Sequence, residues 1–204
     1  HKSVCCKNLN YNPDNISVVY GSVDSEKFNP ALKATSSFRK EIGADENDIL
    51  AVLLGRLSPV KGHEYALKAI SLLKDMPSKV KLVCLGYEME RTVEWIKSEA
   101  ERLSISDRFI WVDRRDDLPS ILSTMDIGLL TSIGSEANSR ATLEYRASGL
   151  PVIGTTVGVV PELIDDGKTG FVVKPASAED LADKIKILAS DSNLRHQMGN
   201  AARK

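Results

Sequence analysis

The stretch "ILAVLLGRLSPVKGHEYALKAI" (residues 49–70) contains the unit that decides the fold. Its first seven residues are a continuous apolar run that ends at Gly55, a pattern typical of a strand buried on both faces. Apolar residues then recur at helical spacing and predict a helix over about 62–76. A strand, a short loop and a helix in this order predict one step of a parallel α/β sheet.

The same alternation continues along the rest of the chain. Further strands are predicted at 16–20, 79–86, 108–112, 126–132, 151–155 and 170–173. Further helices are predicted at 31–43, 88–103, 118–125, 139–148, 158–167 and 177–190, with one more that starts near Asn193. Because the strands are apolar runs and not alternating patterns, we predict an α/β domain with a doubly wound, Rossmann-like parallel sheet and helices on both faces.

Composition places the chain among ordinary globular proteins. Its 204 residues are 42% apolar and 27% charged, with a net charge of −1. Neither half is strongly basic, which argues against a nucleic-acid partner. No apolar run reaches the roughly 18 residues that a membrane span needs. The expected class is a globular protein of one domain.

The three cysteines do not suggest a disulfide framework. Their number is odd, Cys5 and Cys6 are adjacent, and Cys84 lies inside an apolar strand pattern. This usage favours a reducing compartment, so we expect a cytoplasmic protein with Cys84 as a small core residue.

The ends of the chain suggest a piece of a longer protein. It begins with His1 and not with Met, and it ends within a helical pattern. We divide it into a polar lead-in at 1–15, one globular domain at 16–190, and the start of a truncated C-terminal helix at 191–204.

Ligands of doubly wound sheets bind at the carboxyl ends of the strands, near the point where the strand order reverses. The loop "GRLSPVKG" (55–62) follows such an end and contains Arg56 and Lys61. Two cations that converge there suit a phosphate or diphosphate. The alternative is a solvated loop with two surface cations. The loop is not a nucleotide P-loop, because the pattern G-x-x-x-x-G-K-[ST] is absent.

A second stretch, "GSEANSRATLEYRASGLPVIGT" (134–155), contains two glutamates on either side of a helix start. Asn138 or Ser139 can cap this helix, and its free backbone N–H groups form an anion site together with the helix dipole. The Glu144 carboxylate could then accept hydrogen bonds from a ribose diol while phosphates lie at the helix start.

Glu136 precedes this helix at the strand's carboxyl end and could reach a sugar hydroxyl. A simpler interpretation remains open for both glutamates. Glu144 could pair with Arg140, four residues earlier on the same helix face, and Glu136 could be an exposed surface charge.

Other polar positions carry weaker signals. Thr155, Thr156 and Gly158 could line a pocket or could belong to an ordinary connection. Arg114 and Arg115 could flank a base pocket or could be surface charges. His63 is predicted to be a surface residue at a helix start, and neither a metal cluster nor a Ser/His/Asp arrangement is visible in the sequence.

Together, several blocks resemble one family. They are "GRLSPVKGHEYALKAI", "LGYE", "LPSILSTMDIGLLTS", "EANSRATLEYRASGLPVIGT" and "GVVPELIDDGKTGFVV". In this order they resemble the C-terminal, donor-binding domain of family-4 retaining glycosyltransferases, which have the GT-B fold. The resemblance covers residues from about 16 to 190. It implies that this domain binds a nucleotide sugar.

The resemblance implies roles for individual residues. The family's E-x7-E motif matches Glu136 and Glu144, which would face the donor sugar and hold the nucleotide ribose, respectively. Arg56 and Lys61 match the family's basic pair at the donor diphosphate and would stabilise the leaving group. Arg56, Lys61 and Glu136 are therefore the residues implied in catalysis.

The resemblance also implies the remaining donor contacts. Backbone N–H groups near Asn138, Ser139 and Arg140 would bind the diphosphate, and the segment Val112, Asp113 and Arg114 would bind the base. No metal or other cofactor is expected, because cations and helix amides replace it. Two departures leave the sugar and the base open: Ala-Asn-Ser follows the first glutamate where the family has Gly-aromatic-Gly, and aspartate stands at 113 where glycine is frequent.

The implied activity is sugar transfer from a nucleoside diphosphate sugar to a hydroxyl acceptor, in glycan, lipopolysaccharide or glycolipid biosynthesis. The acceptor, a glycan or glycolipid, would bind an N-terminal domain that this chain lacks, so the chain alone is expected to be inactive. That domain would also allow the full-length protein to associate with a membrane surface. Two alternatives remain: a non-catalytic nucleotide-sugar-binding or scaffolding domain, and a GT-B-fold sugar-nucleotide epimerase.

Overall fold

A sheet of six parallel strands lies at the centre of the computed structural model, which describes residues 12–17, 19, 21–77 and 79–204. The strands are β1 (Ile49–Leu54), β2 (Val80–Gly86), β3 (Phe109–Asp113), β4 (Ile127–Leu130), β5 (Val152–Thr155) and β6 (Gly170–Val173). Their order is β3-β2-β1-β4-β5-β6, and every neighbouring pair is parallel. The strand order therefore reverses between β1 and β4, where a ligand crevice is expected.

The α-helices of the described residues follow the strands in alternation. They are α1 (Phe38–Glu41), α2 (His63–Ser71), α3 (Val93–Arg102), α4 (Leu118–Leu122), α5 (Arg140–Ala147), α6 (Val160–Leu163), α7 (Ala178–Ser190) and α8 (Ser192–Arg203). Short 3-10 helices occur at Pro13–Asn15, Pro30–Thr35, Pro59–Lys61 and Ser106–Arg108. None of these helices combines the length and the apolar character that crossing a membrane requires.

Two apolar clusters cover the two faces of the sheet. Alternate residues of β1 point to opposite sides, with Leu53 in one cluster and Val52 in the other. Helices α2, α3 and α7 pack on the first face, and α1, α4, α5 and α6 pack on the second. All six residues of β1 are buried, and so is Cys84 in β2. The doubly wound α/β prediction is confirmed, as is the core position of Cys84.

Buried and half-buried charges are paired with one another at the amino-end edge of the sheet. The Arg39 guanidinium donates to the Asp126 carboxylate at 3.3 Å and to the carbonyl oxygen of Asp48 at 2.6 Å. The Lys81 ammonium pairs with the Asp48 carboxylate at 2.6 Å, and both side chains are buried. We call Arg39, Asp48, Lys81 and Asp126 the amino-end network. It fastens the loop before β1 to the starts of β2 and β4, because a buried charge is tolerated only where it is paired.

The helix predicted at 31–43 is wrong, because the chain forms two shorter pieces there. A 3-10 helix ends at Thr35, and α1 begins only at Phe38. Between them the Ser36 hydroxyl accepts a hydrogen bond from the Phe38 N–H at 3.4 Å, and Ser37 follows. Short hydroxyl side chains compete for backbone groups in this way and interrupt a helix.

The helix predicted at 88–103 starts later than its apolar pattern suggested. The Thr92 hydroxyl accepts a hydrogen bond from the Trp95 N–H at 3.2 Å, so it caps α3 and sets its first turn. Met89, which precedes this cap, is 59% exposed.

The predictions for the first 20 residues lie largely outside the described part of the chain. Cys5, Cys6 and most of the lead-in at 1–15 are not described. Of the strand predicted at 16–20, only Ile16, Ser17 and Val19 are described, and none of these three lies in a strand. The helix predicted near Asn193 is α8.

Candidate functional site

The loops after three neighbouring strands interlock at the carboxyl-end edge of the sheet. The Thr131 hydroxyl, which follows β4, donates to the carbonyl oxygen of Lys61 in the loop after β1 at 2.7 Å. The Thr155 hydroxyl, at the end of β5, donates to the carbonyl oxygen of Ser132 at 2.6 Å. The loops that contain most of the predicted ligand-binding residues are therefore held in one cluster next to the strand-order reversal.

Lys61 and Glu136 contact each other directly in this cluster. The Lys61 ammonium donates to Oε1 of Glu136, and the Ser132 hydroxyl donates to the same oxygen at 2.6 Å. Glu136 is only 6% exposed, which rules out the interpretation of this residue as a surface charge. The charged side chain is buried because two donors satisfy it.

Gly62 allows the backbone conformation that places the Lys61 side chain next to Glu136. Gly62 has a φ of +66°, and a Cβ atom there would overlap the carbonyl oxygen of Thr131. Only glycine combines this left-handed backbone with such close approach. The Lys61 stem also lies over Gly55, since an ideal Cβ at 55 would lie 3.6 Å from Lys61 Cδ.

Arg56 lies between β1 and β2 at the same edge. The bridge between Leu57 and Glu88 extends the pairing of the two strands past this arginine. The Nε atom of Arg56 is buried and has no hydrogen-bond partner among the described residues. An arginine presents five N–H donors, so an unsatisfied donor at this edge suits a bound anion.

The cap predicted for α5 is wrong. Ser139 occupies the N-cap position, but its φ is +41° and its side chain makes no cap bond. Its hydroxyl lies 2.7 Å from the Thr142 hydroxyl instead. A side-chain cap needs an extended backbone at this residue, which the left-handed conformation does not provide. Within the described residues no side chain caps the first N–H groups of α5, so they can receive an anion.

Glu144 pairs with Arg140 on α5, as the simpler interpretation predicted. Nε of Arg140 donates to Oε1 of Glu144 at 2.9 Å. The carboxylate is 7% exposed, and its burial raises the pKa of Glu144, although the arginine opposes this shift. The Arg140 guanidinium is largely exposed, so it can leave the pair when another donor takes its place at the buried Glu144 carboxylate.

The predicted base-binding segment lies at the end of β3, on one edge of the sheet. Val112 is half-buried, Asp113 accepts a hydrogen bond from Nε1 of Trp111 at 2.9 Å, and Arg114 is exposed. Arg115 binds carboxylates on α1 and on its own loop, which makes it a structural anchor. With neighbouring strands about 4.8 Å apart, β3 and β4 lie roughly 14 Å apart, a span that an extended ligand has to bridge.

The loop after β5 contacts Glu136 through its backbone. The N–H of Val159 donates to the carbonyl oxygen of Glu136 at 2.9 Å, and a Cβ atom at Gly158 would overlap that oxygen. Of the three weak candidates in this loop, Thr155 and Gly158 thus support the cluster structurally.

His63 is buried, and its predicted surface position is wrong. It is 3% exposed, and both ring nitrogens are without partners among the described residues. Burial, and secondarily the Lys61 charge, lowers the pKa of His63 to about 4. A sequence signal was present, because 63, 66, 67 and 70 share one helix face and the last three are apolar.

Two further observations concern possible ligands. Within the described ranges, no group of three or more His, Cys, Asp or Glu side chains is placed to hold a metal ion. A cavity of about 380 Å³ lies at the amino-end edge, where its lining includes Asp48, Ser148 and His196. It contains none of the predicted donor residues, so we locate the site from the sheet topology and the interlocked loops.

Comparison with known proteins agrees with this architecture. The profile of the family "Glycosyl transferases group 1" matches residues 35–204. D-inositol 3-phosphate glycosyltransferase of Corynebacterium glutamicum is 30% identical over 197 residues, which are 93% of this chain and 47% of that protein. N-acetyl-alpha-D-glucosaminyl L-malate synthase of Bacillus anthracis is 28% identical, over 92% of this chain and 48% of that protein.

Solved structures show the same fold. A glycosyltransferase of Rickettsia africae superposes with a TM-score of 0.89 at 25% identity, over 99% of this chain and 55% of that one. Anabaena HepE in complex with UDP gives 0.86 at 22% identity, over 96% and 54%. The C-terminal domain of the group 1 glycosyl transferase LpcC from Francisella tularensis gives 0.77 at 26% identity, over 89% and 95%.

The chain spans about half the length of the curated relatives that it matches. The family profile covers most of the chain, and the neighbouring structures share its six-stranded parallel sheet with helices on both faces. The chain therefore belongs to the group 1 glycosyl transferases, and its fold is the Rossmann-like C-terminal domain of their GT-B architecture.

Proposed function

We propose that this chain is the donor-binding half of a retaining glycosyltransferase that moves a sugar from a nucleoside diphosphate sugar to a hydroxyl acceptor. The observation that carries the proposal is the contact between Lys61 and the buried Glu136 at the carboxyl end of the sheet. A cation and a carboxylate in one cluster, next to a helix N-terminus that no described side chain caps, suit a ligand that has both phosphates and hydroxyls.

In this proposal the cations act on the leaving group. Arg56 and Lys61 bind the diphosphate, where negative charge develops as the bond to the sugar breaks. Backbone N–H groups of Asn138, Ser139 and Arg140 add donors at the start of α5. These fixed positive groups take the place of a metal ion, so we propose a reaction that is independent of metals.

The carboxylates bind the hydroxyls. Glu136 faces the donor sugar and, with Arg56 and Lys61, forms the catalytic set. Glu144 accepts hydrogen bonds from the ribose diol after its pair with Arg140 opens. The segment from Val112 to Arg114 contacts the base at the far end of the donor.

Known relatives support this class of donor and acceptor. Anabaena HepE has been crystallised with UDP and with UDP-glucose. WaaG, a structural neighbour, is a glycosyltransferase involved in lipopolysaccharide biosynthesis. We propose that the acceptor is a glycan or glycolipid and that a further domain of the full-length protein binds it. That domain would allow the full-length protein, in the cytoplasm, to associate with a membrane surface. The chain alone is then expected to bind donor without turnover.

Calorimetry with UDP, GDP and ADP on this chain tests the donor role. We expect one nucleotide to bind, and Lys61→Ala to weaken that binding at least tenfold, because it removes a charge-assisted contact. Lys186→Ala, at an exposed position of α7, is the matched control and should bind like the parent. Absence of heat with all three nucleotides would contradict the proposal and favour a scaffolding domain.

The full-length protein tests the reaction itself. Incubated with a donor panel and hydroxyl acceptors, it should release nucleoside diphosphate and transfer labelled sugar with retained anomeric configuration. A changed sugar nucleotide that forms without any acceptor would indicate an epimerase instead.

A further inference from the structure

Tyr145 lies where strands β1 and β4 separate. Their ladder ends at Leu53 and Leu129. One residue further on, the N–H of Leu54 donates to the phenol oxygen of Tyr145 at 2.7 Å. The phenol proton faces two carbonyl oxygens, that of Val52 at 3.2 Å and that of Leu129 at 3.3 Å. The hydroxyl therefore replaces a ladder bond and joins the two strands beyond their last pair.

Gly128 makes room for this ring. A Cβ atom at position 128 would lie 2.5 Å from Cδ2 and 2.6 Å from Cγ of Tyr145. The tyrosine is completely buried, and burial raises the pKa of its phenol well above the ordinary value, so that the hydroxyl remains a donor and an acceptor. Glycine and tyrosine thus form a matched pair that places a single polar group between the strands.

Three chain segments that meet at this phenol lead directly to the donor residues. Leu54 is two residues before Arg56, and Leu129 is two residues before Thr131, which binds the carbonyl oxygen of Lys61. Tyr145 itself follows Glu144 on α5. Short chain segments therefore link the Tyr145 hydroxyl to the residues proposed to bind the diphosphate and the ribose, which are Arg56, Lys61 and Glu144.

We propose that Tyr145 is a positioning residue for the donor site. Its hydroxyl fixes the spacing between the carboxyl ends of β1 and β4 and the start of α5. It thereby sets the separation between Arg56 and Lys61 on one side and Glu144 on the other. Tyr145 itself touches no ligand and acts by placing Arg56, Lys61 and Glu144. The inference rests on the proposed function, because it assigns Tyr145 a role in that same site.

The variant Tyr145→Phe removes only the hydroxyl and keeps the ring that fills the space above Gly128. By calorimetry well below the unfolding midpoint, we expect the Kd for the nucleotide that the parent binds to rise about tenfold, because a small misplacement of binding groups is costly. The matched control is Thr124→Val, which removes a buried hydroxyl that donates to the Ile121 carbonyl at 2.7 Å near the amino-end edge. It should lower the unfolding midpoint and leave Kd unchanged.

Each outcome bears on a different statement. If Tyr145→Phe lowers the unfolding midpoint but binds nucleotide like the parent, the positioning role is overturned and the hydroxyl is only structural. If the parent chain binds none of UDP, GDP and ADP, the proposed function fails and this proposal fails with it.

A second variant keeps the test decisive if Tyr145→Phe does not fold. Gly128→Ala retains the hydroxyl but displaces the ring, so we expect a similar rise in Kd. Unchanged affinity in a folded Gly128→Ala variant would overturn the proposal, because the hydroxyl position would then be irrelevant to binding.

Discussion

The Lys61 ammonium and the Glu136 carboxylate form an ion pair in which the carboxylate is the more deeply buried partner. Ser132 donates to the same carboxylate oxygen. Without ligand, the cation proposed for the diphosphate is therefore engaged by the carboxylate proposed for the sugar. Donor binding has to redistribute these contacts, which makes the pair a sensitive place for substitution.

Glu136→Gln should separate the two roles. The amide oxygen can still accept the Ser132 hydrogen bond, but Lys61 loses its counter-charge and becomes free for a diphosphate. We expect the affinity for the bare nucleoside diphosphate to rise by about 1 kcal/mol, roughly fivefold, as measured by calorimetry. Sugar transfer by the full-length protein should fall. Glu101→Gln, exposed on α3, is the control, and weaker nucleotide binding by Glu136→Gln would contradict the assignment.

Glu144→Ala should weaken nucleotide binding through the ribose alone. Loss of hydrogen bonds to a charged acceptor predicts a rise in Kd of about 10- to 100-fold. The parent should lose a similar factor when the 2′-deoxy nucleotide replaces the ribonucleotide, whereas Glu144→Ala should bind both nucleotides equally. If Glu144→Ala still binds the ribonucleotide more tightly than the 2′-deoxy nucleotide, Glu144 does not hold the ribose.

Gly62→Ala and Gly43→Ala form a matched pair for urea denaturation. Both glycines have positive φ, +66° and +62°, but a Cβ atom meets a carbonyl oxygen only at position 62 and open space at position 43. We expect Gly43→Ala to lower the free energy of unfolding by about 1–2 kcal/mol. Gly62→Ala should lower the free energy of unfolding by about 1–3 kcal/mol more than Gly43→Ala, because its Cβ atom would overlap the carbonyl oxygen of Thr131. Equal losses would show that the contact with Thr131 is unimportant.

His63 should make the protein less stable in acid. Its pKa in the folded state, about 4, is below the ordinary value of 6.5, so the unfolded chain takes up the proton first. The stabilisation is complete above pH 6.5 and is lost as the pH falls towards 4. It amounts to about 3 kcal/mol of unfolding free energy over this interval, at 1.36 kcal/mol per pH unit.

His63→Leu should remove this loss, which urea denaturation at several pH values would measure. His196→Leu, at an exposed position of α8, is the control and should retain the parent's pH dependence because His63 is still present. An unchanged slope in His63→Leu would assign the acid sensitivity to other groups.

The sequence predicted the sheet well because burial on both faces leaves a strong pattern. The run at 49–54 reflects packing on both faces of the sheet, whereas the helical spacing of Ala66, Ile70 and Leu73 reflects one packed helix face. The break before α1 escaped prediction because it depends on local competition by the Ser36 hydroxyl, which apolar periodicity does not register.

The site was predicted less completely. Their positions after strand ends, together with the family resemblance, predicted that Lys61 and Glu136 lie at one crevice. The contact of Ser132 with Glu136 was not predicted, because a single serine after a strand gives no signal of a tertiary contact. The role of the Tyr145 phenol was not predicted for the same reason, because it depends on the absence of a side chain at Gly128 in the preceding strand.

The amino-end network has a consequence for divergence within the family. Its four charged residues form two ion pairs at one rim of the sheet, whereas the residues proposed for ligand chemistry occupy the other rim. Substitutions at the carboxyl-end edge therefore leave the contacts of the amino-end network intact. Under the proposed function, the preference for a sugar or a base could therefore change through substitutions at the carboxyl-end edge without loss of the contacts that hold the scaffold together.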